Sequence, residues 1–158
     1  MTDFERLLDT LGKHEIKFIL VGGAAAIAHG SARLTQDLDI VYERSTENID
    51  RLVAALATLG PYPRGVPQGL PFLWDRRTLV RGLNFTLITT VGDLDLLGEI
   101  AGGGGYNDLL PGSVKLSVFG FQCRCLSLSQ LIRAKRAAGR PRDLEALAEL
   151  EAIEEENG

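Results

Sequence analysis

Asp37-Leu38-Asp39 opens the apolar run "DLDIVY", and the pair Gly22-Gly23 closes the run before it, "FILV". Residues two apart on a strand share a face. Asp37 and Asp39 therefore project together, while Leu38 and Ile40 face the core. Two carboxylates on one face need a cation between them or a shared proton. Oxygen donors in open geometry suit Mg²⁺, which binds through one or two carboxylates plus substrate phosphates. A second pair, Asp93 and Asp95, lies in "VGDLDLLGEI". Asp95 sits among Leu94, Leu96 and Leu97, where a buried charge is costly without a partner. Asp93 follows Val91-Gly92 and is expected at a turn. A strand carrying Asp95 beside the Asp37 strand would assemble three carboxylates. That is enough for one or two Mg²⁺ ions, or Mn²⁺ in their place.

The glycines fit the same chemistry. Glycine lets backbone N–H groups approach a ligand closely. A helix starting after Gly23 would aim the positive end of its dipole at that ligand, and phosphate is the natural guest. One stretch, residues 18–43, thus offers both halves of a metal–triphosphate site.

The elements that must position these residues can be read along the chain. Thr2 and Glu5 form a capping box ahead of Phe4, Leu7, Leu8 and Leu11, which are spaced for an amphipathic helix. Residues 17–21 read as a buried strand, "AAAIAHG" as a helix ending at Gly30, and Asp37 to Tyr42 as a second strand. Ser45 caps a helix with Ile49, Leu52, Val53 and Leu56 on one face. "PYPRGVPQGLP" holds four of the six prolines and reads as a loop. A short helix is expected near Asp75. "LNFTLITT" and "DLDLLGEI" read as an antiparallel hairpin. "AGGGGYNDLLPG" reads as a flexible loop without an obvious helix. Residues 114–119 and 121–126 suggest another hairpin. Ser127 and Gln130 cap a helix, and Pro141 restarts one that runs to the end. The expected class is α+β (α/β): one domain spanning residues 1–158, with a mixed β-sheet, helices packed on one face and a C-terminal helix pair at about 127–156.

Composition narrows the function. The 158 residues suffice for one core. The net charge of -4 and a pI near 5.2 argue against broad electrostatic binding of nucleic acid. Nucleic acid then enters only as an acceptor. No run of eighteen apolar residues suggests a membrane span, and the acidic, amphipathic start is unlike a signal peptide. Cys123 and Cys125 are too close for an ordinary disulfide, so a reducing cytoplasm is expected.

"GGAAAIAHGSARLTQDLDI" resembles the nucleotidyltransferase fold of the DNA polymerase β superfamily. The likeness is to its small bacterial branch, which includes lincosamide and aminoglycoside nucleotidyltransferases and members of toxin–antitoxin and abortive-infection systems. The Arg-x-Thr-x-Asp-x-Asp pattern of that branch is matched by Arg33, Thr35, Asp37 and Asp39. "NFTLITTVGDLDLLGEIAG" resembles the segment with the third carboxylate, which the resemblance places on Asp95. "SLSQLIRAKRAAGRPRDLEAL" resembles the closing helix pair, whose nucleotide-proximal lysine maps onto Lys135. Arg140 and Asp143 match a common Arg-x-x-Asp and read as a structural ion pair. The resemblance spans roughly residues 15 to 150.

It implies Mg²⁺-dependent transfer of a nucleoside monophosphate from an NTP, such as ATP, to an acceptor hydroxyl, with release of pyrophosphate. Asp37, Asp39 and Asp95 would hold metal, and Asp95 would also act as base. Gly22, Gly23, Arg33, Thr35 and Lys135 would bind nucleotide. The acceptor is a small molecule, a tRNA or a partner protein, and a homodimer or toxin–antitoxin partner would complete the pocket. The competing reading is a non-catalytic nucleotide-binding or toxin–antitoxin module of the same fold. A metal-dependent glycosyltransferase is a weaker third, having no use for the Gly-Gly helix. Other residues read as plain structure: His29 as a cap or surface group, the cysteines, Phe72 and Trp74 as core, the "AGGGGY" segment as a mobile loop beside the site, and the acidic tail as a solvated helix face with Leu144, Leu147 and Leu150 on its apolar side.

Overall fold

A computed structural model describes residues 1–157. Helix α1 (Phe4–Lys13) buries Leu7, Leu8 and Leu11, as its periodicity predicts. Its cap differs from the expectation. Asp3, not Thr2, accepts a hydrogen bond from the Arg6 N–H. Thr2 is diverted: its hydroxyl donates to the Gln36 carbonyl and accepts from the Asp93 N–H.

Strand β1 (Phe18–Val21) runs straight into the short helix α2 (Gly22–Ala28), followed by β2 (Asp37–Tyr42). Ser45 caps α3 (Thr46–Ala57) through the Asn48 N–H. The proline-rich segment is not wholly irregular. Tyr62–Pro63 forms a two-residue strand, β3, on the sheet edge. Asp75 caps α4 (Arg76–Arg81), and β4 (Phe85–Thr89) and β5 (Gly92–Leu97) form the expected hairpin. Asp93 lies within β5 and not at the turn. The turn is at residues 90–91, because Gly92 takes up the positive φ of +122°, where L side chains are strained.

The glycine run is also more ordered than expected. β6 (Glu99–Ile100) pairs with β7 (Gly104–Gly105), and α5 (Tyr106–Leu109) follows. The hairpin of β8 (Val114–Val118) and β9 (Phe121–Cys125) leads to α6 (Leu128–Ala138) and α7 (Pro141–Asn157). The Ser127–Gln130 capping box is present.

The main sheet runs β3-β4-β5-β2-β1-β9-β8. It is mixed: β2–β5 and β1–β9 pair in parallel, and the other neighbours are antiparallel. The α+β architecture expected from the sequence is the one observed. Parallel pairing of β2 with β5 sets Asp37 opposite Asp93 and Asp39 opposite Asp95. The alternate residues Leu38, Ile40, Leu94 and Leu96 are fully buried. A one-residue slip would exchange these two sets, so the core that locks the register also places the aspartates.

Buried Asn48 fastens the far ends of the central strands. Its Oδ1 accepts from the Lys17 N–H at 2.8 Å, and its Nδ2 donates to the carbonyls of Lys17 at 3.0 Å and Glu43 at 2.8 Å. Asn48→Ala would leave these backbone groups without partners. It is expected to cost about 3 kcal/mol, read as a lower urea midpoint. An unchanged midpoint would refute the clip.

Candidate active site

Asp37, Asp39 and Asp95 each present a carboxylate oxygen, and these oxygens lie within 4.8 Å of one another. β2 supplies the first two and β5 the third. Asp93 shares their face, at the edge of the cluster. Burial first, and then the charges of Asp37 and Asp95, push the Asp39 carboxyl up to about 8. Burial also raises Asp95, against the opposing pull of Arg64. Asp39 Oδ1 is buried and has no hydrogen-bond partner among the described residues. A crowded all-oxygen cluster with an orphaned oxygen is a donor set that a hard divalent cation fits.

The two glycines make room for this cluster. Gly22 has φ +65°, and a Cβ there would collide with Asp39 Oδ2. A Cβ on Gly23 would lie 2.7 Å from the Thr35 hydroxyl. Thr35 in turn donates to the Asp37 carbonyl at 3.2 Å. Helix α2 begins at Gly22 itself, two residues earlier than expected, and no side chain caps its first turn.

Lys135 reaches the site from α6. Its Nζ pairs with Asp143 Oδ1 at 3.2 Å. Arg140 Nε binds the other oxygen of Asp143 at 2.6 Å. Hydrogen bonds from Arg140, then those from Lys135, hold the buried Asp143 carboxyl down to about 2. The Arg140–Asp143 pair is thus part of a three-residue clamp that aims Lys135.

Two cavities of about 270 Å³ each meet at Gly22, Asp39, Lys135 and Arg140. One is walled by Leu97, Ile100, Leu126 and Leu131. The other is polar and holds Arg33, Thr35, Asp37 and Arg142. Arg33 is exposed, on a loop tied to α7: Glu149 accepts from the Ser31 hydroxyl at 2.6 Å and the Ala32 N–H at 3.1 Å. The acidic tail is therefore not solely a solvated face, and Leu144 on its expected apolar side is 54% exposed.

Sequence reasoning missed Arg64. It follows β3 and contacts three aspartates: Asp95 at 2.8 Å, Asp93 at 3.5 Å and Asp37 at 3.9 Å. Its sole signal in the sequence is a cation between prolines. The other singled-out residues are structural. His29 meets the Leu126 carbonyl through Nε2 at 2.7 Å. Cys123 and Cys125 are free and buried, and burial pushes the Cys125 thiol up to about 12. Trp74 packs on the core and donates to the Val53 carbonyl at 2.9 Å.

Solved structures share this arrangement of elements. The lincosamide antibiotic adenylyltransferase LnuA, bound to lincomycin, superposes with a TM-score of 0.61 at 16% identity, covering 96% of this chain and 98% of LnuA. The fold is that of the nucleotidyltransferases. TM1012 of Thermotoga maritima, provisionally assigned as a nucleotidyltransferase, gives 0.57 at 16% identity over 94% of each chain. The antibiotic-resistance factor ANT(2'')-Ia, in complex with adenylyl-2''-tobramycin, gives 0.55 at 19% identity, covering 95% of this chain and 90% of its own. No protein-family model matches the sequence, and no curated protein matches it either. The likeness to nucleotidyltransferases is one of fold. Among the described residues, no helix is long and apolar enough to cross a membrane.

The two shifted carboxyls act on stability in opposite directions. Asp143 is lowered, so its contribution is complete above its unfolded value of about 3.9 and is lost as pH falls through about 2. Asp143→Asn is expected to lower the urea midpoint at neutral pH and to flatten the acid limb. Asp39 is raised, so the stability its protonated form contributes is lost as pH rises through about 8. In EDTA, Asp39→Asn is therefore expected to raise the melting temperature most at alkaline pH. A lower melting temperature there would contradict crowding of the carboxylates.

Proposed function

We propose that the protein is a divalent-metal-dependent nucleotidyltransferase. It would move a nucleoside monophosphate from an NTP, ATP among them, to an acceptor hydroxyl and release pyrophosphate. The observation that carries this reading is the convergence of Asp37, Asp39 and Asp95 around an orphaned buried oxygen, at the junction of a cationic and an apolar cavity.

Asp37, Asp39 and Asp95 would hold Mg²⁺ or Mn²⁺. Bound there, the ion supplies charge neutralisation for the triphosphate and the leaving pyrophosphate. The chain's own groups do the rest. Gly22 and Gly23 let the phosphates come close to the start of α2, with Thr35 as an adjacent hydroxyl. Lys135 and Arg33 face the polar cavity and place positive charge where phosphate oxygens would lie. Asp95, raised by burial, suits a base that takes the proton of the acceptor hydroxyl. The apolar cavity offers a surface for a base or an acceptor ring.

The acceptor would be a small molecule, a tRNA end or a partner protein's hydroxyl. A second copy of the chain or a toxin–antitoxin partner would supply the remaining wall. The free buried thiols suit a reducing cytoplasm.

The deciding experiment uses each NTP labelled at the α-phosphorus, with Mg²⁺ and cell-lysate fractions of small molecules, RNA and protein. Label is expected to enter one fraction with the wild-type chain and none with Asp37→Ala/Asp39→Ala. Label entering no fraction, with Mg-NTP binding retained in calorimetry, would favour the nucleotide-binding module instead.

A further inference from the structure

The face that carries the cluster holds four carboxylates: Asp37, Asp39, Asp93 and Asp95. Among the described residues, Arg64 alone forms ion pairs with Asp37, Asp93 and Asp95, and Asp39 has none. Arg64 is not a loosely held surface arginine. Its backbone N–H donates to the Thr86 carbonyl at 2.9 Å, extending the β3–β4 pairing by one residue. Its Nη2 donates both to Asp95 Oδ1 at 2.8 Å and to the Leu87 carbonyl at 2.9 Å. The side chain is 29% exposed, and Nε is buried without a hydrogen-bond partner. From beside β4 the arm crosses to β5 and on to Asp37 of β2. Adjacent strands stand about 4.8 Å apart, so only a long cationic side chain spans this gap.

The carboxylate oxygens divide between two places. Asp95 Oδ1 and, more distantly, Asp37 Oδ2 face the guanidinium. Asp39 Oδ1, buried and unpaired, does not. A two-ion site uses shared carboxylates between ions about 4 Å apart. Here a permanent positive charge already lies against Asp95 and Asp37, and it would repel a second dication at that end.

We propose that Arg64 is a resident cation that takes the place of a second metal ion, so that the cluster binds a single divalent ion on the Asp39 side. This rests on the metal-site reading above. Arg64 acts as a positioning residue: it fixes Asp95 through Oδ1 and leaves the other oxygen free for the ion or the acceptor. Its planar fork with a fixed charge replaces what an exchangeable ion would do.

Mn²⁺ binding to the full chain tests this, counted from the free-ion paramagnetic resonance signal. Wild type, R64Q, R64K and D39N are compared without nucleotide. Wild type is expected to bind one ion, and D39N to lose it. R64Q, which removes the charge, is expected to bind two. R64K, which keeps the charge, is expected to stay at one. Mn²⁺ should also raise the melting temperature of R64Q more than that of wild type, because the ion then replaces the missing charge. If R64Q is unfolded in EDTA, recovery of native circular dichroism on adding Mn²⁺ supports the exchange. Failure to recover overturns it.

Two bound ions in wild type, or the same count and affinity in R64Q as in wild type, would overturn the role of Arg64. Either result leaves the metal site standing if D39N abolishes binding. No Mn²⁺ bound by wild type or by R64Q would overturn the metal-site reading itself, and this inference with it.

Discussion

Repulsion among carboxylates on one face of the β2–β5 pair is the constraint on which the site depends. Asp37 and Asp39 lie opposite Asp93 and Asp95 in strict register. No core requires four acids there. Their neighbours Leu38, Ile40, Leu94 and Leu96 are fully buried and hold the strands in that pairing. The apolar face therefore supplies the stability that the acidic face consumes. Local strain and crowding of this kind are typical of functional sites in a fold that is otherwise consistent.

Three devices manage the charge. Arg64 reaches in from the sheet edge and neutralises the Asp95 end. In the metal-free cluster, burial and the neighbouring carboxylates favour protonation of Asp39, which relieves the centre. Lys135 approaches from α6 and draws the Asp39 carboxyl back down. Lys135 is itself held by Asp143, which Arg140 shares. The clamp closes the short connection between α6 and α7, so the helix pair aims charge at the sheet as well as covering it. Glu149 of α7 repeats the theme by holding the loop that carries Arg33.

Much of this was legible in the sequence. The strands around Asp37 and Asp95, the hairpins, the Ser45 and Ser127 caps and the α6–α7 pair follow from periodicity and capping chemistry. Those signals are local, involving residues a few positions apart. The expectations that fail do so for different reasons, one of them a distant contact and two of them glycine backbone geometry. Thr2 was spaced for a cap, but its hydroxyl is engaged by Gln36 and Asp93. Gly92 before Asp93 suggests a turn at Asp93, yet Gly92 lets the strand begin there. The glycine run has the composition of a loop, yet Glu99 and Ile100 pair with Gly105 and Gly104.

By itself the sequence determined the α+β class and the spacing that puts Asp37 and Asp39 on one face. It also determined the apolar surroundings that make Asp95 conspicuous. The class follows from the order of helix- and strand-patterned segments, the shared face from the fixed period of a strand, and the prominence of Asp95 from the leucines beside it. Only the tertiary structure decided that β5 lies parallel to β2, that Asp39 keeps an oxygen without a partner, and that Arg64 stands among the acids. Strand order joins segments some fifty residues apart in the chain, and Arg64 is placed by two residues of edge pairing. Such pairings depend on which buried faces meet, and no local pattern of residue types encodes that.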